Sequence, residues 1–306
     1  MLSKLLENSS SENPVVLEKD ITLSKITIKP TTLSYNGYLN LNGHTITGNI
    51  STNNSGLFNI NNEYAKKGLN ITIYNGNINI ITIYNGNINI LNKTTGNVYA
   101  IVENIKSSKY ATALNLIDLT ITSEGDGIFI NGKDSSLYLD NVNIDAKADY
   151  AIFGNGANSA NSNINIKSSN LKSNKMVIYN PQVGKLIIQK SSLTGLTPIG
   201  IKAGELTIKT SVLTSTKETH ETPVAEGNGI SLTGDAIYAE INSGYGITDG
   251  KTSLIINILE KNEFNFANNE NAILRIFNPE KIEGYEINSD LKRTVLNENE
   301  TIYTKN

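Results

Sequence analysis

Along most of the chain from Val15 onward, apolar residues alternate with polar ones in short runs bounded by Asn, Gly, Asp and Ser. A period of two is the pattern of β-strands with one buried face. Helical spacing is confined to the start, where Leu2, Leu5 and Leu6 precede a Ser/Asn run and Pro14. The strand-like runs resemble one another: LNITIYNGNI from Leu69, LNLIDLTIT from Leu114, LYLDNVNID from Leu137, INIKSSNLK from Ile164, LIIQKSSLT from Leu186 and LTIKTSVLT from Leu206. From Leu114 onward the starts are separated by 23, 27, 22 and 20 residues. A repeat of about this length with variable loops predicts the coils of a β-solenoid.

Residues 71–90 read ITIYNGNINI twice in succession. Taken alone, each copy looks like two short strands joined by a tight Asn-Gly bend. Stacked on the other coils, the first copy fills the slot of LYLDNVNID, with Ile71, Ile73 and Ile78 matching Leu137, Leu139 and Ile144. Ten residues are therefore not the structural period. The second copy is surplus, a local duplication accommodated as a protruding hairpin or a lengthened coil.

A second kind of strand falls between these runs: DGIFING at Asp126, DYAIFGN at Asp149, KMVIYNP at Lys175, PIGIKAG at Pro198, DAIYAEI at Asp235 and ILRIFNP at Ile273. Each coil then has at least two strands, and inward positions are expected to stack Ile on Ile and aromatic on aromatic, with Phe129, Phe153 and Tyr179 as structural members. The 46 asparagines suit the bends, where the side chain bonds to backbone, tolerates left-handed geometry and can form ladders along the axis.

Composition narrows the function classes. A net charge of −3 with interspersed signs, and no Lys/Arg stripe interleaved with aromatics, sets nucleic acid aside. The absence of cysteine removes disulfides, thiolate catalysis and Cys-based zinc sites. No apolar run is long enough for membrane insertion or for a signal peptide. No phosphate-cradling or dinucleotide-binding glycine motif occurs in strand–helix context, so no cofactor is expected.

The run YLNLNGHTITG, followed by coils pairing a GDAIYA-like turn and strand with an LTIKTSVLT-like strand, resembles the right-handed parallel β-helix proteins of the pectate-lyase-like class, in particular its bacterial cell-surface members. The resemblance implies an all-β, single-stranded right-handed parallel β-helix with coils of about 20–27 residues and a short N-terminal cap. Residues 1–19 form the cap or linker, 20–279 the helix and 280–306 an irregular C-terminal cap or tail.

Asp126, Asp149 and Asp235 invite a reading as catalytic acids, since inverting glycosidases use carboxylates ~6.5–9.5 Å apart. All three stand just before an apolar-aromatic strand, so a turn role is the simpler account. Enzymes the class resembles would show adjacent aspartates, or an Arg beside calcium-binding acids. No adjacent Asp pair occurs, and the two arginines, Arg275 and Arg293, lie in the C-terminal part, where Arg275 reads as a solvated charge. His44 reads as part of a bend-and-strand signature. The polar stretch STKETHETPVAEGNGISLT, residues 215–233, reads as a loop thrown out from one coil; within it His220, flanked by Glu218 and Glu221, is a weak ligand-binding candidate, and one His is too little for a metal site. Tyr74, Tyr84, Tyr138 and Tyr238 are read as exposed strand residues, and Tyr138 and Tyr238 are weak candidates for stacking on sugar rings.

The expected function is a non-enzymatic structural or adhesive β-helix of a bacterial surface protein, extracellular and monomeric, offering a flat strand face and the 215–233 loop to a polysaccharide or a host or cell-surface protein, its export signal and anchor lying outside this chain. The alternatives are a polysaccharide lyase or glycoside hydrolase whose carboxylates come from different coils, and a trimeric phage tail or capsid fibre. Deleting residues 81–90 is expected to leave the thermal midpoint within a few degrees of the parent, read by circular dichroism; outright unfolding would show the second copy to be part of the core.

Overall fold

The computed structural model describes residues 6, 8–23, 31–33, 37–49, 55–60, 69–81, 98–103, 112–130, 134–154, 161–216, 224–226, 230–241, 253–267, 271–279 and 285–306. They are nearly all strand and stack as a β-solenoid with two walls, a 16-stranded and an 11-stranded sheet. Pairing is parallel from coil to coil until the C-terminal end.

The stacked repeats pair in the anticipated register. Ile71 faces Leu114, which faces Leu137, then Ile164, Leu186 and Leu206. Two residues on, Ile73, Leu116, Leu139, Ile166, Ile188 and Ile208 form a second column, each 0% exposed. Ile78 pairs with Ile121 and so with Ile144. The first decapeptide copy is thus a continuous part of the strand Leu69–Ile81 rather than a hairpin. Residues 82–90 of the second copy lie outside the described residues. Alternation builds these columns, because burying every second side chain removes a full row of aliphatic groups from water at roughly 1.5–3 kcal/mol each.

Midway along each strand of the larger sheet the chain turns a corner. The corner residues of six successive coils, Asp118, Asn141, Ser168, Lys190, Thr210 and Glu260, all have φ between 47° and 65°. Only one of the six is the expected asparagine. Asn and Asp tolerate this left-handed region, whereas Lys, Thr and Glu adopt it because the stack above and below requires the turn. Side chains do bond along the axis here: Asn141 Nδ2 donates to Asp118 Oδ1 at 2.7 Å, and Thr210 Oγ1 to Glu260 Oε2 at 2.6 Å.

Past the corner the next residue points inward and carries a hydroxyl in three successive coils. Ser169 Oγ accepts from Val142 N–H at 3.0 Å, Ser191 Oγ from Ser169 N–H at 3.1 Å and Ser211 Oγ from Ser191 N–H at 3.2 Å. Each hydroxyl also donates to the carbonyl two residues back, Lys167, Gln189 or Lys209. Asn262 Oδ1 ends the series by accepting from Ser211 N–H at 2.9 Å. The column supplies partners to backbone groups that the corner takes out of the ladder.

In the smaller sheet the inward column runs Ile101, Ile128, Ile152, Ile178, Ile199, Ile237 and Leu274. Phe58 pairs with Ile101 and continues this column, but the later aromatics are not inside. Phe129 lies between the buried Ile128 and Ile130, so its ring faces outward, where Phe129, Phe153 and Tyr179 stack with centroids 5.4 and 5.6 Å apart. Phe153 and Tyr179 belong to an external apolar cluster with Tyr150, Met176 and Tyr238, which Phe129 meets through Phe153.

The ends are closed differently. Leu6 is fully buried against the first coil, so close to Gly37 that a Cβ there would lie 2.6 Å from Leu6 Cβ. Ser9 Oγ accepts from Tyr38 N–H and donates to Leu6 O. At the other end the tail is ordered: Tyr285–Asn288 extends the larger sheet in parallel, and Lys292–Asn297 with Glu300–Thr304 forms a hairpin that pairs antiparallel with Leu274–Phe277. The reversal of direction ends the parallel stack.

Replacing Ser191 by Ala leaves the buried Ser169 N–H unpaired and is expected to cost about 1–3 kcal/mol, whereas Ser192→Ala, whose hydroxyl faces outward, stays within about 0.5 kcal/mol. Urea unfolding of the two variants measures the difference.

Candidate functional site

Register places two of the three candidate aspartates in one slot. Asp126, Tyr150, Met176, Thr197 and Asp235 succeed one another up the stack at the start of the smaller-sheet strands. Asp149 sits one residue earlier, because three residues rather than two separate it from the isoleucine of the inward column. The carboxyls in the shared slot act on the next coil. Asp126 Oδ1 accepts from Tyr150 N–H at 2.8 Å and Asp149 N–H at 2.9 Å, and Asp235 Oδ1 accepts from Ala272 N–H at 2.7 Å. Thr197 Oγ1 does the same for Gly234 and Thr233 N–H at 3.2 and 3.3 Å.

Asp126 is 1% and Asp235 0% exposed. Four coils separate them, about 19 Å at the usual strand spacing, well beyond the separation of a glycosidase acid–base pair. Asp149, half-buried, pairs with Lys175 at 3.1 Å. Burial pushes the Asp126 carboxyl up to about 7, with the Asp149 charge adding to the rise, against the opposing backbone hydrogen bonds and Lys175. Its Oδ2 is buried with no hydrogen-bond partner. A perturbed acid of this kind can mark a catalytic group, but this one is sealed from substrate and occupied with the backbone.

Arg275 is not a solvated charge. It extends from the outward row that contains Tyr238, and its guanidinium bridges Asp235 through Nε and Glu300 through Nη1, its own side chain 19% exposed. Burial works against its charge, but Asp235 and then Glu300 outweigh it and raise its pKa. An Arg-plus-acid cluster therefore exists at the C-terminal end, where it ties the closing hairpin to two coils. Sequence reading also missed Lys202, 1% exposed, whose Nζ lies 3.1 Å from Glu240 Oε2. The two follow the paired residues Ile201 and Ala239, so stacking PIGIKAG on DAIYAEI at their isoleucines contains the signal.

Tyr138 and Tyr238 part company. Tyr238, read as exposed, is 3% exposed and packs on Phe277 with centroids 5.3 Å apart. Tyr138 is half-buried on the outer face of the larger sheet, its hydroxyl donating to Asp140 Oδ2 at 2.9 Å, which also accepts from Lys167 Nζ at 2.7 Å. The Lys167 hydrogen bond holds Asp140 below its ordinary value, and Asp140 raises Lys167 in return. Burial, then Asp140, pushes the Tyr138 phenol up. Tyr74 lies in the strand Leu69–Ile81 opposite Ile117. His44 Nδ1 contacts Asp20 Oδ1 at 3.2 Å; a hydrogen bond from Thr45 N–H, then His44, lowers the Asp20 pKa. Arg293 is exposed on the C-terminal hairpin.

Tyr84, Glu218, His220 and Glu221 lie outside the described residues. Within 215–233, Ser215 ends a buried strand, Val224–Glu226 pairs antiparallel with Ile230–Leu232, and Leu232 packs on the external apolar cluster. That end of the loop lies against the body rather than away from it.

A cleft opens on the outer face of the larger sheet beyond the corner. It holds about 330 Å³ and is lined by Thr120, Asn143, Asp145, Asn170, Lys172 and Thr194 among others, contributed by four successive coils. Its wall is pre-arranged, with Asn170 Nδ2 donating to Asn143 Oδ1 at 2.9 Å and Lys147 Nζ pairing with Asp145. Chemically it offers amides, hydroxyls and one carboxylate beside lysines, a set suited to hydrogen-bonding a polyhydroxylated ligand. Among the described residues no three His, Asp or Glu side chains converge to hold a metal ion, and no helix is long and apolar enough to cross a membrane. No known protein family, curated protein or solved structure matches this chain.

The buried carboxyl has a pH signature. Asp126 titrates near 3.8 in the unfolded chain and about 7 in the fold, so the fold binds the extra proton between those values, and the stability is full below 3.8 and lost as pH rises through 7. Between pH 5 and 8 the protein is expected to lose about 2.5 kcal/mol from this group. Asp126→Asn, which stays neutral, flattens that slope in denaturant melts.

Proposed function

We propose that the protein is a non-catalytic β-solenoid that serves as a rigid binding or stalk segment at a bacterial cell surface and takes a carbohydrate on the outer face of the larger sheet. The observation that carries the reading is the cleft spanning Thr120 to Thr194, an array of side-chain amides and hydroxyls from four coils at one strand spacing per step. Two further features support it. The carboxyls that resemble catalytic acids, Asp126 and Asp235, are withdrawn into backbone bonding. The columns of buried aliphatic residues give the stiffness that a presenting scaffold needs.

Isothermal titration against a panel of neutral and acidic oligosaccharides tests this. Binding of at least one is expected, weakened tenfold or more by Asn143→Ala with Asn170→Ala, at unchanged thermal midpoint. Binding indifferent to that double variant overturns the site, and turnover of any polysaccharide that vanishes in Asp126→Asn overturns the non-catalytic reading.

A further inference from the structure

The cleft on the larger sheet belongs to a longer pattern. Beyond the corner each strand offers two outward positions, and coil-to-coil pairing aligns them in two columns. One runs Thr120, Asn143, Asn170, Ser192, Val212 and Glu263; the other, two residues on, runs Thr122, Asp145, Lys172, Thr194, Thr214 and Asn265. In the first five of these coils the residue between the columns, from Ile121 to Leu213, is buried, so both columns face out. Towards the N-terminal end the register continues through the positions of Asn77 and Asn79 to Thr45 and Thr47. The columns therefore cross eight coils, about 34 Å at the usual strand spacing, and the four coils of the cleft are the middle four.

The columns differ from the outer face before the corner. There, ion pairs link the coils, Lys167 with Asp140 and Lys185 with Glu205. Of the ten column positions from Thr120 to Thr214, eight are uncharged, and the other two, Asp145 and Lys172, have opposite signs and are neighbours in register. The hydroxyls of Thr120, Thr122, Ser192, Thr194 and Thr214 make no hydrogen bond among the described residues. Threonine is stiff at χ1, so on a fixed backbone its hydroxyl is in place before a ligand arrives, and less freedom is lost on binding. The sheet sets the lattice: one strand separation along the axis and two residues, about 6.6 Å, across it.

A ligand with equivalent groups at regular intervals can engage many coils at once, each further coil adding to its affinity. A short ligand gains nothing from the length of the columns, and an acidic one finds Asp145 beside Lys172. We infer that the site takes a long, linear, neutral polysaccharide, lying along the solenoid axis with the cleft at its middle and the two columns holding it on either side. The inference rests on the carbohydrate reading and specifies its ligand: neutral because the columns are, linear because they are two residues wide, and long because they outrun the cleft at both ends.

Isothermal titration of the full chain with unbranched glucans and mannans of increasing length, beside polygalacturonate as an acidic counterpart, tests it. Beyond the statistical gain of a longer chain, affinity is expected to rise about tenfold or more from an oligomer that fills the cleft alone to the polymer, and to exceed that for polygalacturonate. Thr47→Val with Thr214→Val removes two hydroxyls outside the cleft and keeps the branched shape. It is expected to weaken the polymer about threefold or more, with the short oligomer and the thermal midpoint unchanged. Affinity independent of length, a polymer indifferent to the threonine pair, or tighter binding of polygalacturonate overturns the inference and leaves the cleft reading standing. Absence of binding to every saccharide overturns both.

Discussion

In-register stacking is the constraint on which the rest of this structure depends. Each coil must offer the next one a partner for every backbone group it buries, at the corners as well as along the strands. Along the strands the parallel ladder does this without help from side chains. At the corners the chain leaves the ladder, and specific polar side chains take over: Ser169, Ser191, Ser211 and Asn262 at one corner, Asp126, Thr197 and Asp235 at another. A third corner uses close approach instead. Gly204, at φ +86°, sits where a Cβ would meet Gly184 O at 2.4 Å.

This division of labour explains where the charges are. Acids drawn into the corners are lost to solution chemistry, while the outer face keeps amides, hydroxyls and ion pairs that link coil to coil, such as Lys167 with Asp140 and Lys185 with Glu205. Exposed pairs of this kind add little stability individually. The buried ones at the C-terminal end, Arg275 with Asp235 and Glu300, matter more, since removing one partner would strand the others away from water. They join the antiparallel hairpin to the stack it terminates.

Much of the fold was legible because alternation and spacing carry it. The columns from Leu114 to Leu206 follow from aligning apolar pairs, and the same alignment assigns Ile71, Ile73 and Ile78. Anchoring the second strand type on aspartate rather than isoleucine misplaced Asp149 by one residue. Counting parity from Ile128 and Ile130 would have turned Phe129 outward. The serine column was hidden, since Ser168, Ser169, Ser191 and Ser192 look alike until register shows that Ser169 and Ser191 are inside and Ser192 is not. Glu300 meets Arg275 only because the chain reverses, a step that no repeat pattern announces. The cleft was invisible for a related reason: its residues are ordinary outward polar positions of four different coils.

Amide hydrogen exchange in the native protein tests most directly whether these polar side chains serve the backbone. The amides of Ser169, Ser191, Tyr150 and Ala272 donate to Ser191, Ser211, Asp126 and Asp235 side chains. They are predicted to exchange as slowly as the strand amides of Ile166 and Ile188, opening only with the coil as a whole. Rapid exchange at these four amides beside protected strands would contradict the account, and would return Asp126 and Asp235 to consideration as chemical groups.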